Sequence, residues 1–356
     1  MQPIALFHKR LQKAQKAVPS IHRTRLNALM AAVGAVLCGS QASITSLGRG
    51  LSNTAFLKHK IKRMDRLIGN TRLTQERWDI YAALTRWLVQ GLPQPLILID
   101  WSPLSGDQEH QVLRASLPVK GRALTLSEEV HPRSKLGGRK AQHAFLDVLK
   151  TLLPTTSRPI IIADSGFRVP FYRYVEHTLG WHWLGRIRNR DLVAWRGTDT
   201  GEPWFGATSL YPRATTTPTR LGTVQWVRRQ PLAAFLVLVG PPKKGRQQLT
   251  QAGQKDRSQH SKKQAKREHE PWLLVASLSL QAFTAKQAMK LYQTRMQIEE
   301  GFRDTKNHRY GLGVATPTAS ANNAAQTCCW PPPWPLSCSG ASAWPGKTSP
   351  SRNKCV

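Results

Sequence analysis

Three carboxylates lie where an enzyme could use them. Asp100 ends the apolar stretch LILID, and Asp164 ends the apolar stretch IIIAD. Both stretches are typical of buried strands, and an open α/β sheet exposes its functional groups where such strands end. Glu299 lies in LYQTRMQIEEGFRDTK, residues 291–306, where the spacing is helical. Three carboxylates can hold two Mg²⁺ ions about 3.5–4 Å apart, an arrangement that supports phosphodiester displacement.

Polar residues recur along the same helical segment. Steps of three, four, four and three residues separate them, and they are Tyr292, Arg295, Glu299, Arg303 and Lys306. One continuous helix over residues 285–306 would project all five from a single face. Its cations would then hold the phosphates that flank a cleaved bond. An exposed ladder of salt bridges is the alternative, because Arg295 to Glu299 and Glu299 to Arg303 are allowed four-residue pairs.

The balance of charge narrows the choice of partner. The 356 residues include 52 Lys and Arg against 20 Asp and Glu, a formal net charge of +32. Such an excess predicts a positive field over much of the surface and a polyanionic partner. A membrane surface is the other common target, but the longest apolar run near the N-terminus, residues 26–38, is too short to span a bilayer. We therefore expect a cytoplasmic protein that faces nucleic acid. A strand-end aspartate by itself is commonly a turn residue or a helix cap, but beside this charge the three acids favour catalysis.

Changes in composition divide the chain into five predicted regions. Residues 1–90 are polar and basic with helical spacing, so we expect a small helical DNA-binding domain there. Strand-like and helical stretches then alternate, which predicts a mixed α/β sheet interrupted by a β-rich insertion. The predicted boundaries are 91–190 for the first part of the α/β domain, 191–271 for the insertion, 272–314 for its second part with the polar helix, and 315–356 for an aberrant, disordered tail.

Two basic runs are candidates for contacts with phosphate groups. The first, KHKIKR, contributes Lys58, Lys60, Lys62 and Arg63. The second opens with Lys243 and Lys244 and holds nine Lys or Arg and one Asp as far as Arg267. A solvated charged helix face explains the first run about as well as DNA contact does. The second run is typical of a disordered loop, of a nucleic-acid tether, or of both at once.

The spacing of the polar helix resembles a known signature. Tyr292-x2-Arg295-x3-Glu299-x6-Lys306 matches the Y-R-E-K signature of the IS4 family of bacterial DDE transposases at every spacing. The sequences around the three acids look especially like those of the IS10 (Tn10) group. Glu300 is a rival for the helical acid, but only Glu299 satisfies the signature spacing.

This resemblance implies a fold and a set of roles. The three acids would be the catalytic and metal-holding triad of an RNase H-like domain, with two Mg²⁺ ions for which Mn²⁺ can substitute. In the relatives the Arg and Lys of the signature hold phosphates of the transposon end and the Tyr helps to fix the DNA, so Arg295, Lys306 and Tyr292 inherit those roles. Trp272 looks like the tryptophan on which a related enzyme stacks a flipped base. A core tryptophan is an equally good interpretation.

The resemblance also implies an activity and partners. Family members cut a transposon end by water attack, form a hairpin on the flanking strand, reopen it and join the 3′ hydroxyl to target DNA. The expected partners are therefore double-stranded DNA, both transposon ends and target, and a second copy of the chain in a homodimeric synaptic complex at the nucleoid. No membrane partner is expected. A general RNase H-like nuclease is an alternative that shares the acids but does not need the tyrosine and the cations.

The end of the chain departs from this resemblance. After YGLGVA the relatives continue into long apolar helices, whereas this chain has three consecutive prolines, three tryptophans and four cysteines. Proline lacks the backbone donor and clashes with the preceding helical turn. A shift of reading frame from residue 327 would restore a Leu- and Ala-rich helix under one choice of codons. The alternative function is therefore a non-catalytic product that binds transposon ends and competes with intact transposase.

Overall fold

The computed structural model describes most of the chain as far as residue 313. The described residues are 21–104, 107–188, 191–196, 203–240, 259, 270–307 and 311–313. Two of the predicted phosphate contacts, Lys243 and Lys244, lie outside this described part, and so does the predicted tail, 315–356.

Four helices form the N-terminal part of the described chain. They are α1 (Arg23–Leu37), α2 (Ile44–Arg49), α3 (Leu57–Ile68) and α4 (Thr71–Val89). The side chains of His22, Ser43 and Asn70 accept hydrogen bonds from backbone N–H groups in the first turns of α1, α2 and α4, which fixes where these helices begin. All four helices contribute apolar side chains to one small core, among them Leu26, Leu47, Met64 and Leu73.

The described residues form one mixed sheet of ten strands. In chain order the strands are β1 (Leu96–Pro103), β2 (His110–Val119), β3 (Arg122–Pro132), β4 (Ile160–Ala163), β5 (His182–Ile187), β6 (Leu192–Trp195), β7 (Phe205–Gly206), β8 (Thr219–Trp226), β9 (Leu232–Val239) and β10 (Trp272–Ser277). Their order across the sheet is β3-β2-β1-β4-β5-β10-β9-β8-β6-β7. Strands β1 to β3 are antiparallel neighbours, whereas β4 runs parallel to both β1 and β5. The order 3-2-1-4-5 with these directions is that of the RNase H-like fold, so the predicted fold class is confirmed.

The strands between β5 and β10 extend the same sheet. Strand β10 pairs antiparallel with β5 on one side and with β9 on the other. Strands β8, β6 and β7 follow beyond β9. The described part of region 191–271 therefore adds strands to the RNase H-like sheet, and β10 joins the two halves.

Helices cover both faces of the sheet. In the described part of the chain, the α-helices that follow β3 are α5 (Arg139–Leu152), α6 (Val169–Arg173), α7 (Ala285–Gln293) and α8 (Met296–Lys306). Residues of α5 and α6 share the larger sheet core with Ile97 and Ile99 of β1. Residues of α7 and α8 share the second core with Leu98 of the same strand. Since side chains alternate along a strand, Asp100 lies on the face that α7 and α8 cover.

The polar segment 285–306 is not one helix, so the prediction of a single polar face is wrong. Around the junction of α7 and α8, the N–H groups of Arg295, Gln297 and Ile298 donate to carbonyls only three residues earlier. The Thr294 hydroxyl also donates to a carbonyl of the preceding turn, at 2.6 Å. Such bonds tighten the turn, so residues on its two sides no longer share a helical phase. Arg303 also lies away from the predicted face: it is on α8 with Glu299, but its side chain is 67% exposed to solvent.

Close packing on β5 supplies a test of this fold. Gly185 lies against the fully buried ring of Tyr172, whose hydroxyl donates to the Asp164 carbonyl at 3.3 Å. A Cβ at Gly185 would be 2.3 Å from that hydroxyl oxygen. We expect Gly185→Ala to displace Tyr172 and to lower the free energy of unfolding by about 1–3 kcal/mol, measured by urea denaturation.

Gly206 provides the matched control for this substitution. A Cβ there would meet only the Thr208 hydroxyl, at 4.0 Å, and its backbone φ of −70° suits any residue. Gly206→Ala should leave the unfolding midpoint almost unchanged. Equal midpoints for the two variants would contradict the packing of Tyr172 against β5.

Candidate active site

The pairing of β1 with β4 brings two of the predicted acids together. The parallel register sets Leu98 beside Ile162 and Ile99 beside Ala163. Asp100 and Asp164 are the next residues along the two strands, so they lie side by side at the carboxyl end of this pair. Ligands of open α/β sheets bind at such ends.

Local hydrogen bonds fix one oxygen of each aspartate. The N–H of Trp101 donates to Asp100 Oδ1 at 2.8 Å, and the N–H of Gly166 donates to Asp164 Oδ1 at 2.7 Å. A Cβ at Gly166 would come within 2.9 Å of that same Asp164 oxygen. Glycine therefore allows the turn after β4 to fold back onto the carboxylate.

The guanidinium of Arg295 lies between two of the acids. Its Nη1 is 3.3 Å from Asp100 Oδ2, and its Nη2 is 2.6 Å from Glu299 Oε1. The side chains of Arg295 and Asp100 are only 14% and 13% exposed, whereas that of Glu299 is 38% exposed. Glu300 instead pairs with the solvent-exposed Arg303 at 2.8 Å. Glu299, rather than Glu300, is therefore the acid of the helical segment that Arg295 links to Asp100.

Burial and charge shift the protonation of these groups in opposite directions. Burial, and then the neighbouring charge of Asp164, raise the pKa of Asp100 to about 7. Burial by itself would lower the pKa of Arg295, but the negative charges around it, among them Asp100 and Glu299, outweigh burial and raise this pKa. Arg295 is therefore a permanent cation that partly compensates acids held closer together than they would be in water.

A second cation of the predicted set reaches the same strand. Lys306 Nζ donates to Ser102 Oγ at 2.7 Å, two residues beyond Asp100. Burial, and then the positive charge of Arg114, lower the pKa of Lys306, while Asp100 opposes the shift. The two signature cations thus lie at either end of α8, both directed toward β1.

The predicted aromatic residues lie together beside the acids. Trp272 and Tyr292 make an edge-to-face contact with ring centroids 5.4 Å apart. Burial raises the pKa of Tyr292 to about 12, so its phenol stays protonated. Trp272 is partly buried and has the Arg186 guanidinium 5.9 Å from its ring centroid. An aromatic side chain with a cation next to it is suited to a nucleobase as well as to a core.

The basic residues predicted on α3 have different surroundings. Lys60 Nζ donates to the Leu51 carbonyl at 2.9 Å, so this ammonium supports a loop. Lys62 pairs with Asp65 at 2.8 Å and remains largely exposed. Lys58 is exposed. Arg63 lines a groove between α1 and α3 together with Lys62, Arg25 and Arg66.

Several residues at the site were not found by the sequence reasoning. They are Ser102, Arg114, Glu128, Gly166 and Arg186. Only one signal was available in the sequence, namely the charges inside two of the strands, Arg114 in β2 and the adjacent Glu128 and Glu129 in β3. Nothing in the order of residues tells which of these charges face each other.

Comparison with known proteins shows the family to which the chain belongs. Residues 92–326, well over half of the chain, match the family described as the transposase DDE domain (DDE_Tnp_1). The fold is RNase H-like, and the chain belongs to this family of DDE transposases. No curated protein matches the sequence. Among solved structures, the chain resembles the piggyBac transposase, described as a synaptic complex with hairpin DNA, at 12% identity and a TM-score of 0.40. That match covers 84% of this chain and 60% of the piggyBac chain, which is less than two thirds of its length. Within the part of the chain that the structure describes, no helix is long and apolar enough to cross a membrane.

DDE transposases use divalent metal ions, and the donors here fit such an ion in part. Asp100 and Asp164 supply hard oxygen ligands side by side, and their mutual repulsion is what a cation between them would relieve. Among the described residues, however, no three His, Cys, Asp or Glu side chains lie close enough together to form a metal cluster. The Arg295 guanidinium takes up the space between Asp100 and Glu299. The pair of aspartates fits a cation directly, and Glu299 joins them only if Arg295 moves.

The raised pKa of Asp100 makes metal binding depend on pH. A carboxyl must lose its proton to bind a cation, and that of Asp100 loses it near pH 7. We expect Mn²⁺ affinity, measured by electron paramagnetic resonance of free Mn²⁺, to rise about tenfold per pH unit below this pKa and to level off above it.

Asp100→Asn is the control for this titration. The variant should bind Mn²⁺ weakly at every pH, because an amide neither titrates nor supplies a full negative charge. An affinity that stays constant between about pH 6 and pH 8 in the unchanged protein would contradict the assignment of Asp100 as a ligand.

Proposed function

We propose that this chain derives from a cut-and-paste transposase of the IS4 class. In this proposal it binds the terminal inverted repeats of a transposon, cleaves the strands with Mg²⁺ and joins them to target DNA at the bacterial nucleoid. The observation that carries the proposal is the grouping of Asp100, Asp164 and Glu299 around Arg295 at the end of the β1–β4 pair. The complete spacing of the Tyr-Arg-Glu-Lys signature supports it.

The acids provide the cleavage chemistry in this proposal. Asp100, Asp164 and Glu299 would hold two Mg²⁺ ions, which activate the attacking oxygen and stabilise the leaving one. The N–H groups of Trp101 and Gly166 keep the two aspartates oriented before DNA arrives. Glu299 is the most exposed of the ion-paired groups at the site, so it is suited to change partner as the site fills.

The cations hold the DNA backbone in this proposal. Arg295 compensates Asp100 and Glu299 in the protein alone. With a cation bound at the acids, its planar guanidinium would be available to a phosphate, for which the bidentate geometry is favourable. Lys306 reaches β1 beside Ser102 and would hold a second phosphate. Both groups would thus fix the scissile bond between them.

The surrounding residues would complete the grip on DNA. Trp272 is only partly buried, so its ring could accept an extruded base of the hairpin. Tyr292 would hold the Trp272 ring in place through their edge-to-face contact. The exposed cations Lys58 and Lys62, with Arg63, would contact the transposon end from α3, and Lys243 and Lys244 would add contacts from the insertion. A homodimer would hold the two ends.

A second candidate function rests on the composition of the tail. The family match ends at residue 326, and the segment that a frame shift would turn into a Leu- and Ala-rich helix starts at Thr327. A chain that lacks the following helices would keep the N-terminal helices and their cations. It would then bind transposon ends without cleaving them and would compete with intact transposase.

Single substitutions of the acids test the proposed chemistry. In a version with the reading frame restored, Asp100→Ala, Asp164→Ala and Glu299→Ala should each abolish Mg²⁺-dependent nicking of a transposon end. End binding, measured by fluorescence anisotropy, should remain, because these residues hold metal ions and do not grip DNA.

Glu300→Ala is the matched control for the helical acid. Its carboxylate pairs with Arg303 in solvent, so nicking should continue at nearly the normal rate. Normal nicking by Glu299→Ala together with loss of nicking in Glu300→Ala would show that the assignment on α8 is wrong by one residue. Nicking that survived without the tyrosine and both signature cations would favour a general nuclease.

The tail predicts a difference between two forms of the protein. In the relatives, apolar helices after the signature help to cover the catalytic domain, and exposed apolar surface costs about 25 cal/mol per Å². That cost is large against a domain stability of about 5–15 kcal/mol. We expect the 356-residue chain to bind end DNA without cleaving it, and the frame-restored chain to cleave.

Gel-based strand-transfer assays on both purified forms measure this difference. The two forms share residues 1–326, so a difference in activity comes from the tail alone. Efficient strand transfer by the 356-residue chain would overturn the frame-shift hypothesis and would show that this ending is a functional variant.

A further inference from the structure

A buried arginine lies in line with the candidate active site. The antiparallel register sets Asp100 of β1 opposite Arg114 of β2, and Arg114 opposite Glu128 of β3. Facing residues of neighbouring strands project from the same side of a sheet. The three side chains therefore form one row under α8, with the candidate catalytic aspartate at one end and a buried ion pair at the other.

Arg114 joins the sheet to α8. Its side chain is 2% exposed, and its Nε donates to Glu128 Oε2 at 2.7 Å. Its Nη2 donates to the hydroxyl of Thr305 on α8 at 3.2 Å. The same guanidinium lies 4.5 Å from the centroid of the Phe302 ring. A Cβ at Gly301 would be 3.6 Å from Arg114 Nη1, so the helix backbone itself passes close to this group.

The helix α8 needs such an anchor. The tight turn at Thr294 separates α8 from α7, so continuity of the chain does not fix its rotation. Apolar contacts of Ile298 and Phe302 bury the helix but are not directional. Lys306 donates to Ser102. Asp304 pairs with Arg122 of β3 where both side chains are about half exposed, at 50% and 54%. The hydrogen bond from Arg114 to Thr305 is directional and buried. Thr305 lies one residue before Lys306 and six after Glu299. Rotation or sliding of α8 would break this bond and move both residues away from β1.

An ion pair buried for stability alone is a weaker explanation. Well-packed apolar residues often replace a buried ion pair without loss of stability, so the pair is not the simplest way to fill this space. We infer that Arg114 is a positioning residue, which sets the rotation of α8 over the sheet through Thr305 and so brings Glu299 within reach of the Asp100–Asp164 pair. This inference rests on the proposed function, since it assigns a role toward the same metal site.

Substitution of Thr305 tests the inference with little disturbance of the core. Thr305→Val keeps the shape of the side chain but removes both the acceptor for Arg114 and the hydroxyl's own bond to the Gly301 carbonyl of α8, whereas Thr305→Ser keeps both bonds. Thr85→Val is the matched control, because Thr85 is also fully buried and donates to the Leu126 carbonyl of β3 at 3.0 Å, away from α8. A double variant, Arg114→Met with Glu128→Leu, removes the anchor together with its buried partner; it also takes away the Glu128 carboxylate that faces Tyr81 and Arg77 on α4, away from α8.

Two measurements on the 356-residue chain distinguish the outcomes. In Thr305→Val and in the double variant, Mn²⁺ affinity should fall about tenfold, the loss typical when support of a ligand is removed. Amide hydrogen exchange of residues 296–306 should become about tenfold faster while exchange in β1 to β3 stays the same. Thr305→Ser should behave like the unchanged protein in both measurements. Thr85→Val should also keep the normal Mn²⁺ affinity and the normal amide exchange of residues 296–306.

Several results would overturn the inference. Unchanged exchange in α8 of Thr305→Val would do so, and so would faster exchange spread evenly over the sheet, which indicates a stabilising role alone. Unchanged Mn²⁺ affinity in a protein that does bind Mn²⁺ through Asp100 would also overturn it. If the unchanged protein binds no Mn²⁺, the proposed metal site fails, and hydrogen exchange at residues 296–306 by itself decides whether Arg114 holds α8.

Discussion

The parallel pairing of β1 with β4 is the constraint on which the candidate site depends. It places Asp100 and Asp164 side by side at a partly buried strand end, where two like charges repel. Burial and this repulsion raise the pKa of Asp100 to about 7. A positive charge has to be close to these acids, and in the protein alone Arg295 supplies it. Arg295, on the helical segment after β10, thus supplies the positive charge beside the acids at the end of the sheet.

Because of the break between α7 and α8, residues of one short segment lie in two different surroundings. Tyr292, before the break, is buried against Trp272, whereas Arg295, at the break, faces the acids. Because the break resets the rotation of the chain, α8 depends on its own contacts with the sheet, among them the hydrogen bonds from Arg114 to Thr305 and from Lys306 to Ser102.

The charge of the whole chain complements the charge of the site. A net charge of +32 favours contact with a polyanion over much of the surface, while the centre of the candidate site is dominated by carboxylates. Phosphates attracted by the surrounding cations would meet these acids at the strand ends, and their repulsion disfavours close approach unless cations lie between them. Arg295 and Lys306 place their charge next to β1, whereas Lys60 and Lys62 on α3 contact other groups.

The sequence by itself determined the class of fold and singled out the three acids as candidates, because apolar strands that end in an aspartate and a signature with fixed spacings are local patterns. It also determined that a helical segment carries Glu299, Arg295 and Lys306. Only the tertiary structure decided that this segment breaks at Thr294. The break consists of a few hydrogen bonds to carbonyls three residues earlier, and these do not change the spacing of polar and apolar residues in the sequence. Strand register, which sets Asp100 opposite Arg114 and Arg114 opposite Glu128, was likewise decided in three dimensions, because pairing joins residues distant along the chain through packing that no single segment contains.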